Sequence, residues 1–174
     1  MRRATEPTVE FSRPLEVARI PKLGSHEKLS ADARECSALA KRLMVPAIHT
    51  LTAELKVKPW RGGGLKVTGE LKADLDQESV VSLETFRSTV VFPVERYFLS
   101  TPSGADVEAD EDIDQITNGV IDVGEVVAET LALELDPYPR KPGEAFQSAI
   151  VEKTDDIPDK PNPFNVLRME PRKR

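Results

Sequence analysis

The sequence predicts an α+β fold: mainly an antiparallel meander or small open barrel of about 4–6 strands, packed with two helices at about residues 30–44 and 122–135. Three patterns carry this expectation. Apolar residues recur at helical spacing from Leu29 to Met44. Alternation of period two then runs from Ile48 to Leu75 across a Gly62-Gly63-Gly64 break. Finally, Asp122 to Arg140 is a helix whose start and stop are both written in residue types.

In the first helix Leu29, Ala33, Cys36, Ala40 and Leu43 share one side, Ser30 is the expected N-cap and Pro46 supplies the stop. Arg34, Lys41 and Arg42 make the opposite face weakly basic, which in the plain reading is a solvated face. Cys36 falls on the apolar side and reads as a packed small hydrophobe, not a nucleophile.

The following alternation sets Leu51, Ala53, Leu55 and Val57 against Thr50, Thr52, Glu54, Lys56 and Lys58. After the glycines, Leu65, Val67, Gly69, Leu71, Ala73 and Leu75 oppose Lys66, Thr68, Glu70, Lys72 and Asp74. This is a hairpin with one wet face. Further strands are expected at Val80 to Val91 and at Val94 to Leu99, with Pro93 marking an edge or bulge between them. Residues 105–117 read as an acidic loop, and Asn118-Gly119 as a turn leading into the second helix.

That helix has Asp122 as N-cap and Glu125 three residues on, at the capping-box position. Val123, Val126, Val127, Thr130, Leu131 and Leu133 share a side, while Glu125 and Glu129 face away. Glu134 falls within the apolar arc, so either the helix frays before it or it pairs with a cation such as Arg140. Pro137 and Pro139 dictate an extended exit.

At 174 residues one domain is the default: residues 1–143 as a single globular α+β domain with a flexible extreme N-terminus, and residues 144–174 as a proline-containing, partly mobile tail in which Phe164, Val166 and Leu167 can dock. No apolar run reaches the roughly 18 residues a membrane span needs, and Met1-Arg2-Arg3 is not followed by a secretory apolar stretch. A cytoplasmic protein is expected. The single cysteine excludes an intrachain disulfide.

The formal net charge is −6, but it is unevenly spread. Residues 1–72 hold 14 Lys+Arg against 8 Asp+Glu, residues 73–160 hold 6 against 21, and residues 161–174 hold 4 against 1. A globally acidic chain can therefore present a basic surface to a polyanion and an acidic one to a basic partner.

The block Ile121-Asp122-Val123-Gly124-Glu125-Val126-Val127-Ala128-Glu129, continuing through Leu135 to Asp136-Pro137-Tyr138-Pro139-Arg140, resembles the signature of the YceD family, the large ribosomal RNA subunit accumulation proteins, in its alphaproteobacterial branch. Ser79-Val80-Val81-Ser82-Leu83-Glu84-Thr85-Phe86 resembles a second family patch, where many members carry C-x-x-C in place of Ser79 and Ser82. The Phe11-Ser12-Arg13-Pro14 opening and the Pro161-Asn162-Pro163-Phe164 ending fit as well. The resemblance implies a non-enzymatic factor in large-subunit biogenesis that supports synthesis, processing or accumulation of the large-subunit ribosomal RNA. Hydroxyls are poor substitutes for thiolates on zinc, so this chain is not expected to hold a metal there.

No catalytic constellation, metal site or cofactor motif is expected. His26 and His49 lack a second ligand at a recognised spacing, and no glycine-rich phosphate loop follows a strand. Asp106, Glu108, Asp110, Asp112 and Asp114 alternate like a calcium loop, yet Glu111 stands where glycine is needed and Thr117 where a bidentate glutamate is needed. The candidate RNA-binding residues are Lys56, Lys58, Trp60, Arg61 and Lys66, cations around a glycine-rich turn with an aromatic ring that can stack on an unpaired base, worth about 1–3 kcal/mol. The plainer reading has Trp60 closing the end of the core and the lysines keeping an edge soluble. Arg2, Arg3 and the basic C-terminal residues would add only nonspecific attraction. Candidate partner-binding residues are Asp110, Asp112, Asp114, Glu129, Tyr138 and Arg140. They serve the competing reading: an acidic adaptor for a basic ribosomal protein or a processing enzyme, with no RNA contact.

Overall fold

Four consecutive antiparallel strands carry the architecture. In this computed structural model, which describes residues 10–99 and 113–144, β1 (Pro14–Glu16) is followed by β2 (Ser25–Ser30), α1 (Ala33–Arg42), β3 (Ala47–Trp60), β4 (Gly64–Glu78), β5 (Thr85–Leu99), β6 (Ile113–Gln115), β7 (Val120–Asp122) and α2 (Val123–Glu134). The main sheet has the order β2-β3-β4-β5-β6, antiparallel except for the short parallel β5–β6 pairing, and β1 pairs with β7 in a separate two-stranded ribbon. The fold is therefore α+β with an open meander, as expected.

The hairpin follows the expected alternation from Leu51 onward, whereas a bulge between Ile48 and Thr50 leaves both His49 and Thr50 exposed and breaks it at the start of β3. Leu51, Ala53, Leu55 and Val57 of β3 and Leu65, Val67, Leu71, Ala73 and Leu75 of β4 are all buried. They form one core with Leu39 of α1 and with Val127 and Leu131 of α2. Register pairs Leu55 with Gly69, where a Cβ on the glycine would meet the Glu54 carbonyl oxygen at 2.1 Å. The glycine is what lets the two backbones approach this closely.

Several boundaries differ from expectation, each for a local reason. The first helix is capped by Asp32, not Ser30. The Asp32 carboxylate accepts from the Arg34 and Glu35 amides, and the Glu35 side chain returns to the Asp32 amide at 2.8 Å, closing a capping box. Leu29 and Ser30 instead end β2, paired with Ala53 and Thr52. Leu39, which the helical pattern passed over, is fully buried, whereas Ala33 is exposed. Cys36 is buried, and burial pushes its thiol pKa up, which makes it inert.

β5 is one uninterrupted strand where two were expected. It begins only at Thr85, because residues 79–84 form a turn in which Leu83 takes a positive φ. Pro93 lies inside β5, opposite Glu70. Among the described residues the outer side of β5 is paired only at Tyr97–Leu99, so there the proline stands on an edge where the missing N–H disrupts no ladder.

α2 runs from Val123 to Glu134 without fraying, and Glu134 is exposed in its last turn. The core ends at Leu131, and Leu133 is 74% exposed, not packed as expected. Asp122 caps the helix, accepting from the amides of Gly124 and Glu125 at 2.9 and 3.2 Å. The Glu125 carboxylate does not close a capping box: it reaches Arg42 of α1 at 2.8 Å. Asn118 and Gly119, both at positive φ, make the expected tight turn before β7. No helix among the described residues is long and apolar enough to cross a membrane. The acidic segment through Asp112, Arg2 and Arg3, and the tail from residue 145 onward lie outside the described residues.

Candidate nucleic-acid interface

The outward residues of β3, β4 and β5 line up across the wet face at the turn end of the hairpin. Lys58 lies opposite Lys66 and Lys66 opposite Tyr97; one row further in, Lys56 lies opposite Thr68 and Thr68 opposite Glu95. β2 extends the second row with His26 beside Lys56. Two lysines facing each other repel. Glu95 relieves the pair, since Lys66 Nζ lies 2.7 Å from its carboxylate and 2.8 Å from the Tyr97 hydroxyl. The Tyr97 hydroxyl in turn donates to Glu95 at 2.5 Å. These bonds hold the Lys66 pKa above and the Glu95 pKa below their ordinary values.

Trp60 does not close the core. It is half-buried on the wet side, its ring centroid 4.8 Å from that of Tyr97 at an interplanar angle of 52°. The Arg61 guanidinium covers Trp60 at 4.5 Å, and the Lys66 ammonium lies 4.8 Å from the Tyr97 centroid. The turn that presents them, Arg61–Gly63, places Gly62 and Gly63 at positive φ. Gly64 then passes so close to β5 that a Cβ would meet the Phe98 carbonyl oxygen at 2.2 Å. The expected five residues thus gather at one end of the sheet, but not equally free. Lys56 and Lys58 enter no ion pair with a described residue, whereas Lys66 is engaged by Glu95. Sequence reasoning missed Tyr97 and Glu95, although a tyrosine at the outward position of a strand was the available signal.

Of the expected partner-binding residues, those described lie in two places. Asp110 and Asp112 lie outside the described residues. Asp114 sits in β6 opposite Phe98, at the turn end, and Glu129 of α2 is 3.7 Å from Arg96. Tyr138 and Arg140 follow α2 at the other end of the sheet, where the Pro139 carbonyl accepts from the Val80 amide. Among the described residues no three His, Cys, Asp or Glu side chains gather closely enough to hold an ion.

At that opposite end, the Ser79–Glu84 turn and the 136–144 exit are clasped together. The Val80 amide donates to the Pro139 carbonyl at 3.0 Å, and Lys141 Nζ lies 2.7 Å from Glu84. The hydroxyls of Ser79 and Ser82 both donate to the Glu144 carboxylate, holding its pKa below the ordinary value. A second structural joint lies at Ser12 and Arg13. Arg13 grips Glu35 through two nitrogens, and the Asp122 carboxylate accepts from the Ser12 hydroxyl and the Arg13 amide at 2.5 and 2.7 Å.

The fold and this site together define an open-meander α+β protein whose sheet ends in a cluster of cations and aromatic rings. The chain belongs to the YceD family, described as large ribosomal RNA subunit accumulation proteins: the family matches residues 67–169, more than half of the sequence. No curated protein and no solved structure matches the chain. The matched region begins in β4, so it includes Tyr97, Glu95 and both halves of the Ser79–Glu144 clasp, while Lys56, Lys58, Trp60, Arg61 and Lys66 precede it.

Proposed function

We propose that this protein is a non-enzymatic factor of large-ribosomal-subunit biogenesis, acting in the cytoplasm, and that it touches the large-subunit ribosomal RNA or its precursor directly with the turn end of its hairpin. Family membership supports the setting. The observation that carries direct contact is the combination, on one wet sheet face, of Lys56 and Lys58 without acidic partners among the described residues and the Trp60–Tyr97 ring pair beside them. Cations neutralise phosphates, and rings accept unpaired bases regardless of sequence. Arg61, lying over Trp60, would move aside or itself stack on the incoming base. Tyr97, tied to Lys66 and Glu95, presents a ring of fixed orientation.

The test is complementation of a deletion strain by the full chain carrying Lys56→Glu and Lys58→Glu, read as ribosomal RNA profiles and subunit gradients. The proposal expects the deletion to deplete the large subunit and the charge-reversed chain to fail to restore it despite normal abundance. Full restoration would eliminate the hairpin contact and leave the acidic-adaptor reading in its place.

A further inference from the structure

At the end of the sheet away from the hairpin turn lies a groove of about 660 Å³ lined mainly by apolar side chains. Met44 and Val45 from the end of α1, Val80 from the turn before β5, and Leu135 and Pro139 from the exit of α2 supply its walls. Of these, Met44 is 91% exposed and Val80 is exposed too. Single exposed apolar residues are ordinary; two on the walls of one groove otherwise lined by Leu43, Val45, Pro46 and Leu135 mark an interaction surface.

Two further observations say what kind of partner fits. Among the described residues, the charged ones lining the groove are Glu78 and Asp136, and neither is ion-paired with a described residue. The groove also abuts the carboxyl end of α2, where the helix dipole is negative, yet the last turn of α2 contains no basic residue and does contain Glu134. α1, by contrast, closes with Lys41 and Arg42. The next cations along the chain are Arg140 and Lys141, and Lys141 is engaged by Glu84. Among the described residues the last turn of α2 thus lacks the cation that a helix terminus favours, and the acidic surroundings repel phosphate.

Met44 adds a third mark. It follows α1 with φ 53°, a left-handed position where helices usually place glycine, and its amide reaches the Lys41 carbonyl at 3.3 Å. A methionine held there against its backbone preference, its thioether chain in solvent, packs nothing inside the fold. Flexible, polarizable methionine is suited to an adaptable contact.

We infer that this groove docks a basic, extended segment of a partner protein, seating an apolar side chain against Met44, Val80 and Leu135 and placing a flanking lysine or arginine between Glu78, Asp136 and the carboxyl end of α2. The site is independent of the RNA-facing hairpin, at the other end of β3 and β4. One molecule can therefore hold an RNA and a basic protein together.

The test uses the full chain and three short fluorescein-labelled synthetic peptides: leucine interspersed with lysine, leucine with glutamate, and serine with lysine. Fluorescence anisotropy is expected to show the leucine–lysine peptide binding at least about ten-fold tighter than either control. Met44→Gly is expected to weaken that binding about ten-fold while the thermal midpoint holds or rises, since glycine accepts the positive φ. Glu78→Lys with Asp136→Lys is expected to weaken it similarly. Equal affinity for all three peptides, or binding unchanged in both variants, would overturn the inference. So would a dimer that Met44→Gly dissociates in sedimentation velocity, which would assign the groove to a second copy. Oligouridylate binding lost in Met44→Gly would assign it to RNA and overturn the inference as well.

Discussion

Arg13 meets Glu35 through both terminal guanidinium nitrogens, at 2.7 and 2.9 Å, and the same two nitrogens also donate to the carbonyls of Ser12 and Ser30. One side chain thus joins the opening segment, the end of β2 and the first turn of α1. Its ring contact, 4.6 Å over Phe11, fixes the aromatic that plugs the core beneath. Replacing Arg13 by alanine is expected to lower stability by about 2 kcal/mol in urea unfolding, and lysine is expected to recover little, because an ammonium cannot make the forked contact.

The same pair sets an acid dependence. The hydrogen bonds from Arg13 hold the Glu35 carboxyl below its ordinary 4.5. A carboxylate whose folded pKa is depressed adds stability that is complete above the unfolded value and disappears as pH falls through the folded one. The loss therefore belongs below about pH 4.5, and Glu35→Gln is expected to flatten the acid limb of the stability–pH curve there while lowering stability at pH 7.

Gly124 is the point where the opening segment crosses the start of α2. A Cβ added there would stand 2.7 Å from the Phe11 carbonyl oxygen and 2.8 Å from the Arg13 amide nitrogen, both backbone atoms that cannot swing away. Although alanine is the better helix former by about 1 kcal/mol, Gly124→Ala is expected to destabilise by a net 1–3 kcal/mol, measured as a lowered urea midpoint.

The Ser79–Glu144 clasp predicts a local effect. Ser79 is fully buried and its hydroxyl, with that of Ser82, is held by Glu144. Glu144→Ala is expected to speed hydrogen exchange at the Val80 amide, which bonds Pro139 across the clasp, more than at the amides in the middle of β3 and β4. Uniform change across the sheet would assign Glu144 a global role instead.

Lys56 and Lys58 should act as phosphate contacts, without base preference. On single-stranded RNA each neutralised phosphate contributes about −0.7 to the slope of log affinity against log salt. Lys56→Ala with Lys58→Ala is therefore expected to reduce the magnitude of that slope by about 1.4, with equal losses for different sequences, whereas Lys66→Ala is expected to change it less because Glu95 already balances Lys66.

What was legible beforehand follows from which signals are periodic. Period-two alternation over β3 and β4 survives folding because a one-residue slip would expose the whole of Leu51, Leu55, Val67 and Leu71. β2 was invisible because its outward residues are His26, Lys28 and Ser30 and its inward ones are Ser25, Glu27 and Leu29, too polar to alternate. Its loss moved the helix start from Asp32 to Ser30. Glu125 had the spacing of a capping box, but its carboxylate is taken by Arg42, 83 residues away, a competitor that no local rule registers. For the candidate site, Lys56, Lys58, Trp60, Arg61 and Lys66 were legible because they flank one turn. Tyr97 and Glu95 were not, since they join that turn only through the β4–β5 register. The groove at Met44 depends on three distant segments and left no linear trace.

Trp60 is the only tryptophan in the chain, so its emission reports the candidate interface alone. Titrating the full protein with a single-stranded fragment of large-subunit ribosomal RNA is expected to quench that emission saturably, with salt reversing the change and Lys56→Ala with Lys58→Ala weakening it. RNA binding detected by anisotropy with Trp60 emission unmoved, or no binding at low salt, would contradict direct contact through the hairpin end.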